Sequence, residues 1–233
     1  MSDARRAYEA WHRDLDVDAE ADAPWQQLVR RHLADVTGAR VIEIGCGRGG
    51  FAAWLAAQGA REVVGADFSG VAVRKAAALG RERRLGNLRF AVADLCALGC
   101  AGGAFDIAVS CETIEHVPDP ARGVAELARL LRSGGRLYLT TPNYLGPMGL
   151  YRVYRRLTGR PYTEVGQPIN HVTLLPRTVR WVTEAGLEIV AVDGAGHYLP
   201  VPGRPPVRIA ALERWPPLRW LALHSLVVAE KPR

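Results

Sequence analysis

The sequence predicts an α/β fold, a doubly wound and mostly parallel sheet with helices on both faces. Three observations lead there. Short apolar runs alternate with helical segments from about residue 40 to residue 143. Most of these runs are near-continuous in Val, Ile, Leu and Ala, as strands covered on both faces require. The first run ends in a glycine cluster, Gly45-Cys46-Gly47-Arg48-Gly49-Gly50, suited to a tight turn from strand into helix.

The elements follow in order. Two helical stretches, YEAWHRDL and PWQQLVRRHLADV, occupy residues 1–36, the second opened by Pro24. RVIEI is the first strand, and FAAWLAAQGA is a helix closed by Gly59. EVVGADFS is the second strand, with Ser69 placed to cap the helix GVAVRKAAAL. LRFAVADL, which alternates, and FDIAVSCE are strands three and four. PARGVAELARLLRSGG reads as an amphipathic helix ending in glycines, and RLYLTTPN as strand five. Residues 144–170 then turn rich in Tyr, Arg, Gly and Pro. LPRTVRWVTEAG is a helix, LEIVAVDG a strand, residues 197–223 a second irregular stretch, and HSLVVAEKP the last of seven strands.

With 233 residues, 48% hydrophobic and 23% charged, the chain suits one domain with a full core. No apolar run reaches membrane-spanning length, and the N-terminus is too polar for a signal peptide. Cys46, Cys96, Cys100 and Cys111 lack paired metal spacing, so reduced thiols in a cytoplasm are expected. The net charge is +6 and the pI about 9.4. That balance suits nucleic acid, an anionic membrane or an acidic substrate, but the basic residues are dispersed, so it specifies none of them.

Gly45, Gly47 and Gly50 match G-x-G-x-x-G, a weak signal alone. Asp67 ends strand two, 22 residues after Gly45, where an acid accepts hydrogen bonds from ribose hydroxyls. Asp94 ends strand three, in VADL, where it can accept from an adenine amino group with Leu95 flat on the ring. Either acid could instead be a turn or cap residue. Taken in order, VIEIGCGRGG, VVGADFS, FAVADL and FDIAVSCETIEHVPDP resemble the successive motifs of class I S-adenosylmethionine-dependent methyltransferases. The ubiquinone-type O-methyltransferase branch is the most similar, E-x-x-E-H-V-P-D-P being typical of it.

The resemblance implies a Rossmann-like seven-stranded sheet and particular roles. Glu43 would stand beside the methionine moiety, lined by Gly45, Cys46 and Gly47. Asp67 would hold the ribose, Phe68 would lie against the adenine, Asp94 and Leu95 would flank it, and Cys111 would lie near the sulfonium. Residues 38–143 would be the cofactor-binding core, 1–36 a helical cover, 144–170 a substrate lid, and 171–233 the rest of the sheet with its insertion at about 197–223. A nicotinamide dehydrogenase is the rival, disfavoured by Glu43 and the VADL motif.

Glu112, Glu115 and His116 crowd the end of strand four. On a helical turn they would share one face at i, i+3 and i+4. Three roles fit. His116 can be the general base for a substrate hydroxyl, oriented by a glutamate. The trio, with His171 as a fourth ligand, can bind a divalent cation such as Mg²⁺, as E-x-x-E-H does in some relatives of this kind. Or the acids cap the turn and the imidazole is packed.

Tyr8, Trp11 and Trp25 offer an aromatic wall for the substrate, and Tyr144, Tyr151, Tyr154 and Tyr162 stand among Arg152, Arg155, Arg156 and Arg160 in the lid. The expected activity is methylation of a small-molecule hydroxyl in secondary or lipid-linked metabolism, by a monomer or homodimer. The alternatives are metal-dependent RNA 2′-O-methylation and a non-catalytic cofactor-binding subunit. Nucleic acid is disfavoured because the D/N-P-P-Y/F motif of base methylation is absent. The stretch VRIAALERWPPLRWLAL, with Trp215 and Trp220, could touch an anionic bilayer, but packing on the sheet as a helix broken at Pro216-Pro217 is preferred.

Overall fold

The computed structural model describes residues 3–14, 22–159, 169–201, 204 and 206–233. Tyr162 and Arg160, expected in the lid, lie outside the described residues. The chain runs α1 (Asp3–Asp14), α2 (Pro24–His32), β1 (Arg40–Ile44), α3 (Gly50–Ala57), β2 (Glu62–Asp67), α4 (Gly70–Glu82), β3 (Leu88–Val92) and β4 (Phe105–Cys111). It continues through α5 (Pro120–Leu130), β5 (Leu131–Pro142), α6 (Pro147–Leu157), α7 (Leu175–Glu184), β6 (Glu188–Ala195), the short pair β7 (Tyr198–Leu199) and β8 (Val207–Arg208), and β9 (His224–Glu230).

Seven strands form one sheet in the order β3-β2-β1-β4-β5-β9-β6. β3, β2, β1, β4 and β5 are parallel, and β9 pairs antiparallel with both β5 and β6. Strand periodicity sends alternate side chains to opposite layers. Ile42, Ile44, Leu137 and Leu139 pack with Val124 and Leu127 of α5 and Val182 of α7. Val41, Val63, Val109 and Tyr138 pack on the other face with Leu28 of α2 and Phe51 and Leu55 of α3. Tyr138 is fully buried, and its hydroxyl accepts the Ala34 N–H at 2.9 Å, so its one polar atom is satisfied. Each such buried apolar side chain contributes about 1.5–3 kcal/mol.

Ser69 and Pro24 set helix starts as the sequence foretold: Ser69 Oγ accepts the Ala72 N–H at 3.2 Å and Pro24 opens α2. Asp119, not expected as a cap, accepts the Arg122 N–H at 3.1 Å. Three features differ from expectation. α5 stops at Leu130, well before the glycines; β5 starts at Leu131 and bulges around Gly134, whose φ is +73°. The stretch read as irregular after strand five contains α6, begun by Pro147. The segment around Pro216-Pro217 is a pair of 3₁₀ turns, the second of which packs on β6, where Gly194 leaves room for the Arg219 carbonyl. It does not bury its tryptophans: Trp215 is 65% and Trp220 45% exposed. Among the described residues no helix is long and apolar enough to cross a membrane.

Candidate functional site

The carboxyl ends of β1, β2, β3 and β4 open into one cavity of about 490 Å³. Its lining comes from each strand end in turn: Ile44, Gly45 and Gly47; Asp67 and Phe68; Ala93, Asp94 and Leu95; and Glu112, Thr113, His116, Val117 and Pro118. Tyr8, Trp11 and His12 of α1 and Ile169 complete it. Neighbouring strands lie about 4.8 Å apart, so from β3 to β4 the crevice is roughly 14 Å long. It is shaped for an extended ligand laid along the sheet edge.

The glycine loop forms the floor. Gly45 has φ +77°, and a Cβ there would collide with the Thr113 side chain. Gly49 has φ +82°, and a Cβ there would stand 2.7 Å from the Phe90 ring. Only glycine permits both the left-handed backbone and the close approach. The loop is tied to β2 through Asp67: the Gly47 N–H donates to Oδ2 at 2.9 Å and the Ser69 N–H to Oδ1 at 2.9 Å. Burial pushes the Asp67 carboxyl up, opposed by those two N–H groups and by the nearby His12. Asp94 both lines the cavity and caps a 3₁₀ turn, accepting the Cys96 N–H at 2.8 Å.

α1 closes the outer side. Glu9 reaches the start of α4, where its carboxylate accepts N–H groups of Gly70 and Val71, each at 2.8 Å, and the Ser69 hydroxyl at 3.0 Å. In return Lys75 of α4 donates to the His12 carbonyl at 2.7 Å. Arg5 lies 5.4 Å from the Phe68 ring centre. Each helix thus caps the other with the charge its dipole favours.

The E-x-x-E-H segment does not form a single face. A 3₁₀ turn, Ile114–His116, replaces the expected α turn. Glu112 precedes it in a left-handed conformation, φ +46°. Glu112 and His116 line the cavity, whereas Glu115 is fully buried outside its lining. His116 Nδ1 meets the Ile169 carbonyl at 2.7 Å, which requires Nδ1 to carry the hydrogen and leaves the Nε2 lone pair free to act. Nε2 stands 3.5 Å from Glu115 Oε1, too long for a hydrogen bond. Burial holds His116 below the ordinary imidazole value, against the Ile169 carbonyl and Glu112. Tyr8, near the Ile169 carbonyl, is pushed up to about 12 by burial and stays a phenol.

The metal reading is not supported by the donor arrangement. Among the described residues no three His, Cys, Asp or Glu side chains gather as ligands. Glu112 Oε2 is taken by His224 Nδ1 at 3.1 Å, and His171 is exposed with Nε2 on the Val117 carbonyl at 3.0 Å. Glu112, Glu115, His116 and His171 lie near one another but are not gathered as a ligand set.

Other expected residues stand apart from the cavity. Glu43, Cys46 and Cys111 are buried behind its wall. Tyr144 is buried under the Arg152 guanidinium, and Tyr151 stacks on Tyr154; neither lines it. The sequence reading missed His12, Thr113, Ile169, the Glu9 clasp and His224, whose partners lie far away along the chain.

Comparison with known proteins gives the family and the fold. Residues 42–139 match the family model described as a methyltransferase domain. A ubiquinone biosynthesis O-methyltransferase of Coxiella burnetii is 30% identical over 169 residues, 70% of this chain and 69% of that protein. One from Albidiferax ferrireducens is 37% identical over 113 residues, 48% of this chain. The match spans 44% of that relative's length, and 30% of the tocopherol O-methyltransferase of Arabidopsis thaliana. The crystal structure of an S-adenosylmethionine-dependent methyltransferase from Mesorhizobium loti has the same fold, with a TM-score of 0.66 at 22% identity over 91% of this chain and 100% of that one. The chain belongs to the class I S-adenosylmethionine-dependent methyltransferases.

Proposed function

We propose that this protein methylates a hydroxyl group of a small molecule. The observation that carries the proposal is the His116 geometry: an imidazole held neutral by burial, locked by the Ile169 carbonyl with its basic nitrogen unspent, on the wall of a cavity that also holds Asp67, Asp94 and the glycine loop. The curated relatives named above are O-methyltransferases of ubiquinone biosynthesis and of tocopherol, which supports a hydroxyl as the acceptor. Four cysteines free of disulfides fit a reducing cytoplasm.

S-Adenosylmethionine supplies the methyl group as a sulfonium, which leaves as the neutral thioether when the acceptor oxygen is alkylated. Asp94 and Leu95 would receive the adenine, Asp67 the ribose hydroxyls, and Gly45 and Gly47 would let the backbone approach the methionine end. Binding the acceptor in line with the methyl group is the larger part of catalysis. The remaining task is the proton of the acceptor hydroxyl, which His116 Nε2 takes up. Tyr8 stays protonated and serves as a donor.

The test is S-adenosylhomocysteine formation across a panel of phenols and polyols, beside calorimetric titration with S-adenosylhomocysteine. His116→Ala should lower turnover by about 10²–10⁴-fold and leave cofactor affinity nearly intact. Because burial depresses the imidazole, the acid limb of kcat should fall below the 6.5 of a free histidine. Unchanged turnover in His116→Ala rejects the base; failure of the wild type to bind S-adenosylhomocysteine rejects the function.

A further inference from the structure

The cofactor reading leaves one charge unmatched. Asp94 and Glu112 stand at opposite ends of the cavity, on the β3 and β4 edges. With adenine on Asp94, the sulfonium lies toward the β1 and β4 ends. The acid expected there, Glu43, is 3% exposed, faces α3 and lies outside the cavity lining; burial pushes its carboxyl up to about 8. A protonated acid behind the wall offers no countercharge. Glu112 does line the wall at that end.

Its carboxylate is held in an unusual way. Glu112 adopts a left-handed backbone that a non-glycine residue keeps only when its surroundings impose it. The Glu112 N–H donates to the Thr140 carbonyl at 3.0 Å. Oε2 meets His224 Nδ1 at 3.1 Å, while Oε1 is buried without a hydrogen-bond partner. His224 is 9% exposed at the start of β9, with the Trp25 ring 5.0 Å and the Tyr198 ring 6.5 Å away. A Cβ on Gly196 would stand 3.0 Å from the His224 ring, so that glycine admits the imidazole. A β5 carbonyl thus holds the Glu112 backbone, and an imidazole of β9, 112 residues away, holds its carboxylate.

We propose that Glu112 is the countercharge for the sulfonium end of the cofactor and that His224 is its positioning residue. The proposal rests on the methyltransferase reading of the site and deepens it. It predicts a selective electrostatic effect. S-Adenosylmethionine and S-adenosylhomocysteine share adenine, ribose, ammonium and carboxylate and differ by the methyl group and its positive charge. Removing the countercharge must weaken the first more than the second. A merely structural lesion weakens both alike.

The experiment is calorimetric titration of both ligands into the full chain, with no acceptor present. Glu112→Gln should raise the ratio of the S-adenosylmethionine Kd to the S-adenosylhomocysteine Kd by about tenfold. His224→Phe should move the ratio the same way, and His224→Asn, which keeps a donor near the Nδ1 position, should restore it. On the Glu112→Gln background, His224→Phe should add nothing, because a positioning residue acts only through the group it holds. An unchanged ratio in Glu112→Gln overturns the proposal, as does a ratio that moves in Glu115→Gln instead. A ratio shifted by His224→Phe in the absence of the Glu112 charge overturns the positioning role. Wild-type protein that binds neither ligand overturns the cofactor reading itself, a result distinct from equal weakening in the variants.

Discussion

Glu43 illustrates how a single strand parity decides chemistry. Ile42 and Ile44 turn to the layer of α5 and α7, so the residue between them must turn to α3. There Glu43 is buried, with Oε2 unpartnered, and its carboxyl is pushed up to about 8 by burial. An acid raised in the folded state contributes its full share of stability below its ordinary 4.5 and loses it as pH rises through about 8. Wild-type protein should therefore lose thermal stability between pH 5 and pH 9, by on the order of a few kcal/mol from this residue. Glu43→Gln keeps the shape without the ionisation, so its melting temperature should exceed that of the wild type at pH 9 and match it near pH 5. Parallel melting curves for the two proteins at all pH values would show that the carboxyl is not held protonated. The motif resemblance found this residue, and the strand pattern held the information on which way it faces, but the two were not combined.

At the scale of elements, α1 was legible as a helix, while its docking was not. Nothing local marks Glu9 as the N-terminal cap of α4, because its partners Ser69, Gly70 and Val71 lie 60 to 62 residues away. The same is true of Glu112 and His224, 112 residues apart. A cap within an element, such as Ser69, is short-range and was readable. α6 was hidden for another reason: its Gly, Pro, Tyr and Arg imitate a loop and mask the run Leu150, Val153, Tyr154 and Leu157, which recurs at helical spacing and stands exposed in the fold, away from the core. The clasp makes a measurable claim. Burial pushes Glu9 up, but the Val71 and Gly70 N–H groups, the Ser69 hydroxyl and Arg5 outweigh it and hold the carboxyl below the usual range. Glu9→Gln removes the charge from that cap, which should cost about 1 kcal/mol and lower the melting temperature by roughly 2–4 °C. Because α1 covers the cavity, stopped-flow dissociation of S-adenosylhomocysteine should also become several-fold faster. The charged clasp is intact above pH 4.5 and is lost as pH falls through the depressed value, so wild-type dissociation should approach that of the variant in acid. Equal dissociation rates at neutral pH would mean that the cofactor leaves without α1 lifting.

Across the whole molecule, the site follows from the order of the strands. The chain builds outward from β1 to β2 and β3, then returns to place β4 on the other side of β1. At that reversal the connections on the two sides leave in opposite directions, opening a crevice at the carboxyl edge. The alternation of strands and helices over residues 40–143 was plain in the sequence because β1, β2, β4 and β5 are largely buried, while the edge strand β3 is half-exposed, and the crevice came with it. The antiparallel β9 completes the sheet and brings His224 to the same edge, which no local pattern announces. A cavity bounded by α1 and by the ends of four strands couples ligand binding to much of the fold. A ligand that binds the folded chain alone stabilises it by about 2.7 kcal/mol at a concentration one hundred times Kd. For a chain of 233 residues that corresponds to a melting temperature raised by roughly 5–10 °C, with a further rise of similar slope for each tenfold in concentration. Thermal melts over a series of S-adenosylhomocysteine concentrations should show this, and Asp67→Ala should shift the series to higher ligand concentration. A wild-type melting temperature that ignores the ligand up to millimolar concentration would deny that the crevice holds it. A rise that Asp67→Ala leaves untouched would move the ribose away from β2.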